Sequence, residues 1–207
     1  MSTNPVTNFQ QWIRPQDFES ETAEDITRGL SKKMAELDNV VNNAAARRQK
    51  VNQDANLSPE GKRQKIQEVA EDTAKRIDAV LPDQQGLESQ IQSIEAEMQE
   101  PQPDPQDVSA QMRQREIRDR LYQMDEASRL NLYLKANESD SDPELIQAVE
   151  NAPEAFPVVP AERVQEQKAI RIARKFPKQT AQLKDYRLYA QLLQQAAEFG
   201  KRQLMSR

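Results

Sequence analysis

The sequence predicts an all-α protein, and three observations carry the prediction. Apolar residues recur at steps of three and four over long stretches, the spacing of one helix face; Met34, Leu37, Val41, Ala44 and Val51 are an example, with Arg48 filling one position of the stripe. No stretch keeps the two-residue alternation of a half-buried strand. Prolines and Ser or Asp residues fall between the periodic stretches, where helices start and stop. The architecture expected is an elongated, coiled-coil-like helical hairpin in the N-terminal half, joined by a proline-rich linker to a set of shorter helices. Apolar residues make up 36% of the 207, aromatics 5% and charged residues 30%, and the mean hydropathy is -0.93. Such a composition favours helices with narrow apolar seams over one large core.

Residues 1–20 lack a helical pattern, yet Phe9, Trp12, Ile13 and Phe18 gather there, with the only Trp among them. Phe9, Trp12 and Ile13 stand at i, i+3 and i+4, so one helical turn would present them together. The segment can pack back onto the chain's own helices; because aromatic side chains are enriched at interface cores, it reads instead as an extended arm that docks on a partner. Residues 21–99 read as the hairpin. A first helix runs from about Glu21 to Asp54. Ser58 and Pro59 then suit an N-cap and a first helical residue. The second helix carries Ile66, Val69, Thr73, Ile77 and Val80 at the same period. Pro82 interrupts, and Leu87, Ile91, Ile94 and Met98 resume the pattern.

Residues 100–107, "EPQPDPQD", place Pro101, Pro103 and Pro105 at every second position. That spacing fits an extended polyproline-type linker and marks the boundary of a C-terminal region, 108–207. Ile117, Leu121 and Met124 line a helix ending near Gln123. Asp125 can cap a further helix that turns Leu130, Leu134 and Tyr133 inward. Asp142 and Pro143 begin a short helix with Leu145, Ile146 and Val149. Three prolines, Pro153, Pro157 and Pro160, then make an elbow around Phe156, Val158 and Val159. Such an elbow is a rigid corner whose apolar side chains pack on a core or on a partner. Val164, Ile170, Ala173 and Phe176 form the stripe of the next helix. Pro177 breaks it before a last helix with Leu183, Tyr186, Ala190, Leu193, Ala197 and Phe199, for which Gly200 is a C-terminal stop.

The chain has no Cys and no His, which removes disulfides, thiolate nucleophiles, imidazole bases and Cys/His zinc sites. Its four glycines are isolated, so no glycine-rich loop cradles a phosphate. "DSDPE", residues 140–144, begins like a calcium loop but lacks the Gly and the closing Glu that such a loop needs; Asp142 reads as a helix cap. No carboxylate pair is set apart for acid–base work. The expectation is a non-enzyme without cofactor or metal. No apolar run approaches the length needed to cross a bilayer, and "MSTNPVTNFQQW" lacks the pattern of a secretory signal, so synthesis in the cytoplasm is expected.

Charge is uneven. Residues 100–159 carry 6 bases against 13 acids, whereas residues 160–207 carry 11 against 4. The stretch "KAIRIARKFPK", residues 168–178, makes Arg171, Arg174, Lys175 and Lys178 candidates for phosphate contact. The competing reading is a helix face paired with the acidic middle of the chain.

The stretch "MDEASRLNLYLKANESDSDPELIQAVENAPEAFPVVPAERV", residues 124–164, resembles a pattern of uncharacterised small helical proteins from tailed-phage structural gene clusters: an Asp-led Arg/Leu/Tyr helix, "DPE", an apolar helix and a proline elbow. The resemblance covers about a fifth of the chain and brings no functional residue with it. It implies a virion or virion-assembly component. Capsid, portal or neck subunits, or further copies of the chain, would be its partners, and the virion its destination after synthesis in the host cytoplasm. A head-assembly scaffold, a cytoplasmic chaperone and a nucleic-acid-binding accessory protein are the alternatives.

Overall fold

The computed structural model describes residues 8–81, 84–101, 104 and 106–205. They form α1 (Ala23–Gln53), α2 (Pro59–Val80), α3 (Gln84–Glu97), α4 (Val108–Tyr122), α5 (Glu126–Ser139), α6 (Pro143–Glu150), α7 (Ala161–Lys175) and α8 (Pro177–Met205), preceded by 3-10 turns at Phe9–Trp12 and Pro15–Asp17. Among these residues there is no strand, and the protein is all-α, as the periodicity predicts. The expected break at Pro82 and the linker prolines Pro103 and Pro105 lie outside the described residues.

The chain divides into two compact units, Met1–Glu97 with Ala181–Arg207, and Met98–Thr180. The first boundary falls just before the proline-rich stretch. The second differs from the expected division, because residues 181–207 join the N-terminal unit instead of the C-terminal region. Burial explains this: Leu193, Ala196 and Ala197 of α8 close one core with the seams of α1 and α2.

In that first unit α1 packs along α2. Ile26, Leu30, Met34, Leu37, Val41 and Ala44 form the buried face of α1, and Val69, Thr73 and Ile77 that of α2. Thr73 sits in the seam because its hydroxyl donates to the Val69 carbonyl, 2.6 Å away, which satisfies it without water. Ser58 caps α2 as expected, its hydroxyl accepting from the Gly61 amide at 3.1 Å. Gly200 is not a helix stop. α8 runs through it, and a Cβ there would meet Val41 Cγ2 at 3.0 Å and Ile77 Cδ1 at 3.4 Å. The glycine is needed for close approach of three helices.

The N-terminal segment also departs from expectation. Phe9 and Phe18 are buried in the unit's own core, and Trp12 and Ile13 pack against it. Phe9, Trp12 and Phe199 meet edge to face with ring centroids 5.3 to 6.0 Å apart, a favoured aromatic geometry. Two carboxylates clip the backbone down. Asp38 accepts from the Phe9 amide at 2.8 Å, and the fully buried Asp185 accepts from the Glu19 and Ser20 amides at 3.0 and 2.9 Å. Each buried Phe contributes about 2 kcal/mol by removal from water. The arm is therefore part of the fold, and these four side chains are taken up by the chain itself.

The second unit is built from α4 to α7. Leu121, Tyr133, Ala136, Leu145, Ile146, Val149, Val158 and Val159 are its core. Asp107, Asp125 and Asp142 cap α4, α5 and α6 through the amides of Ala110, Ser128 and Leu145. "DSDPE" thus works as a helix start, and no group of metal-ligating side chains is present among the described residues. Asp140 closes α5 in the left-handed region, with φ 50°, a conformation that short polar side chains tolerate.

Candidate docking surface

The proline elbow separates its apolar residues. Val158 and Val159 are buried in the core of the second unit, whereas Phe156 is 70% exposed. Of the three side chains expected to pack on a core or on a partner, the two valines are taken up by the chain's own core, so they are not partner contacts, and Phe156 alone stays exposed. The cause is local: residues 153–156 close a turn in which the Phe156 amide donates to the Pro153 carbonyl at 2.9 Å. That turn aims residue 156 outward before the chain extends towards Val158. Pro157 and Pro160 hold φ near its fixed value, and the buried valines anchor the corner.

A second aromatic residue braces the corner from α4. The Tyr122 hydroxyl donates to the Phe156 carbonyl, and Tyr122 is itself exposed. Above its ring stands Arg129 of α5, the guanidinium carbon 6.0 Å from the centroid, within cation–π range. Arg129 pairs with no carboxylate among the described residues, and its Nε is buried without an acceptor. Phe156, Tyr122 and Arg129 together form an aromatic, cationic surface on a backbone that cannot easily yield. Tyr122 and Arg129 carry no periodic signal that marks them in the sequence; only the fold brings them to the elbow.

The basic stretch of α7 behaves differently from a phosphate-binding face. Arg171 is 2% exposed and is saturated within the chain. Its Nε donates to Glu100 at 3.0 Å, Nη2 to Glu100 and Glu150 at 2.6 and 3.1 Å, and Nη1 to Glu150 at 2.7 Å and to Asn137. Arg174 donates to the carbonyls of Asn137 and Glu138, both at 2.6 Å. Lys175 pairs with Glu100 at 3.0 Å and Asp140 at 2.9 Å. Lys178 is exposed at the start of α8 and also interacts within the chain. Arg171, Arg174 and Lys175 thus make contacts with the acidic middle of the chain, and only Arg171 is buried by them. Turning Arg171 inward rotates α7, so that Ile170, expected on the buried stripe, is exposed instead.

The electrostatics of this cluster are those of a structural lock. Hydrogen bonds from Arg171, against the opposing effect of burial, hold the Glu100 carboxyl down at about 2. Burial works against the Arg171 charge, but the bonds to Glu100 and Glu150 outweigh it and raise its pKa. Tyr133, fully buried, donates to Glu150 at 3.1 Å; burial and then the Glu150 charge push its phenol upward. An adjoining cleft of about 270 Å³ is lined by these same paired charges.

Comparison of the chain with family models, with curated proteins and with solved structures finds no match. No helix among the described residues is long and apolar enough to cross a membrane.

Proposed function

We propose that the chain is a non-enzymatic structural component of a tailed-phage particle, a capsid-associated decoration, cement or head–neck connecting protein that works through protein–protein contacts. The observation that carries the contact role is the exposed Phe156 on an anchored corner. A large aromatic held outward on rigid backbone loses little conformational entropy when it is covered, which is the property of an interface anchor. Tyr122 and Arg129 beside it are of the residue types enriched at such sites. The phage context comes from the resemblance of residues 124–164. The internal commitment of Arg171, Arg174 and Lys175 favours protein partners over nucleic acid.

The test is mass spectrometry of particles purified from the phage encoding the chain, with wild-type protein and with Phe156→Ser. The wild type is expected at fixed copy number in mature particles, and the variant at reduced copy number with unchanged helicity and melting. Presence in precursor heads alone would make the chain a scaffold. Recovery with one soluble client would make it a chaperone. Absence from all particles would overturn the reading.

A further inference from the structure

The protein has a second surface feature, in its other unit, that its own packing does not explain. Thr22 and residues of α1 and α8 border an open cleft of about 310 Å³ lined by Thr22, Asp25, Ile26, Gly29, Tyr186 and Tyr189. Gly29 lies inside α1, where glycine costs about 1 kcal/mol relative to alanine. Gly200 has a reason to be glycine, since a Cβ there would press on Val41 at 3.0 Å. Gly29 has none: a Cβ built on it meets nothing within 4 Å. Gly29 is exposed at the edge of the cleft, so a side chain added there would meet open space instead of a neighbour.

The walls of that space state what it would take. Tyr186 and Tyr189 are half-buried, and neither hydroxyl bonds to another group among the described residues. Ile26 adds an apolar floor. Asp25 stands at the rim with its side chain 79% exposed and paired to Arg28 at 3.2 Å, a surface contact of at most about 1 kcal/mol that an incoming cation can exchange. The chain leading into α1 is acidic. Asp17, Glu19, Glu21, Glu24 and Asp25 fall within nine residues that hold no base. Arg28 also pairs with Glu24 at 2.9 Å, Lys184 pairs with Glu19 at 2.6 Å, and further along α1 Lys33 pairs with Glu36 at 3.5 Å. Tyr189 is raised by burial and then by the Glu36 charge, so this carboxylate also bears on the cleft.

We propose that the cleft at Gly29 binds a cation on an apolar stem, an alkylammonium or guanidinium group such as a Lys or Arg side chain. The stem lies along Ile26 and the bare Gly29 backbone. The charge meets Asp25 and the tyrosine rings, which attract cations through their faces. The cleft's volume sits at the low end of small-ligand sites and suits one such group. This site is independent of the Phe156 corner and of the phage reading.

The test is an amide NMR titration of the full chain, in which the four glycines make the Gly29 resonance easy to follow. The probes are N-acetyl-lysine amide, N-acetyl-arginine amide and the neutral N-acetyl-norleucine amide, with choline and putrescine as free amines. Saturable shifts at Gly29 are expected with the cationic probes and at least tenfold weaker binding with the neutral one. Asp25→Asn is expected to weaken the cationic probes several-fold. Gly29→Leu is expected to abolish the shifts around the cleft while raising the melting temperature, a combination that a purely structural glycine would not produce. Tighter binding of the amino-acid amides than of the free amines assigns the site to a partner's side chain, and the reverse to a free amine. Both outcomes support the cation site. Equal binding of the neutral probe, no saturable shift, or unimpaired binding by Gly29→Leu overturns it.

Discussion

Replacing Arg171 with Met removes the buried cation that bridges Glu100 and Glu150 inside the second unit, and leaves Glu100 only its contact with the more exposed Lys175. Arg171 is 2% exposed, and the side chains of Glu100 and Glu150 are 17% and 12% exposed. Methionine keeps most of the volume, so packing loss is small and the electrostatic loss dominates. Breaking a buried pair by removing one partner costs about 3–5 kcal/mol, because the remaining charge is stranded. A figure of the same order comes from Glu100, whose carboxyl is held at about 2 against 4.5 for the free side chain, mainly by Arg171 and with a smaller share from Lys175. That difference is equivalent to about 3 kcal/mol. The sign follows from the folded value lying below the unfolded one. The stabilisation is complete above the unfolded value of 4.5 and is lost as pH falls towards about 2. Urea denaturation followed by far-ultraviolet circular dichroism should therefore show Arg171→Met destabilised by about 3–5 kcal/mol at neutral pH. The gap to wild type should narrow as pH falls from about 5 to about 3. Adding Glu100→Gln and Glu150→Gln to Arg171→Met should recover part of the loss. A loss below about 1 kcal/mol at neutral pH, or one that does not change with pH, would refute the lock.

Three further outcomes test the packing. Phe9→Ala should cost about 3–5 kcal/mol and shift Trp12 fluorescence, since Phe9 is fully buried and touches Trp12; a near-neutral result would restore the arm to partner docking. Phe156→Ala should leave thermal unfolding within about 0.5 kcal/mol of wild type, because the side chain is 70% exposed; a large loss would mean that it packs inward after all. Gly200→Ala should destabilise by about 1 kcal/mol net, as overpacking of about 1–3 kcal/mol exceeds the helix-propensity gain of about 1, whereas Gly29→Ala should stabilise; equal responses in a melt would show that the two sites do not differ in crowding.

The two glycines show where sequence reasoning reaches its limit. Both interrupt good helical periodicity, and nothing near Gly200 distinguishes a stop from a close approach. The difference lies in Val41 and Ile77, residues far away in the chain. The same holds for the arm. The i, i+3, i+4 spacing of Phe9, Trp12 and Ile13 is legible and so is their need of a cover, but a sticky stripe does not say which surface covers it. Phe199 and the carboxylates of Asp38 and Asp185 decide that it is the chain's own.

What the sequence by itself determined is the helical class, most helix boundaries and the caps at Ser58, Asp125 and Asp142, because these depend on period and on bonds closed within a few residues. The tertiary structure alone decided that α8 belongs with α1 and α2, that Arg171 rather than Ile170 faces inward on α7, and that Phe156 faces outward while Val158 and Val159 do not. The first two outcomes turn on partners distant in sequence, and the third on the local turn that the Phe156 amide closes on the Pro153 carbonyl. For Arg171 the partners are Glu100, 71 residues away, and Glu150, 21 residues away. The reward of satisfying a buried charge overrides the apolar stripe that local periodicity would otherwise have turned inward.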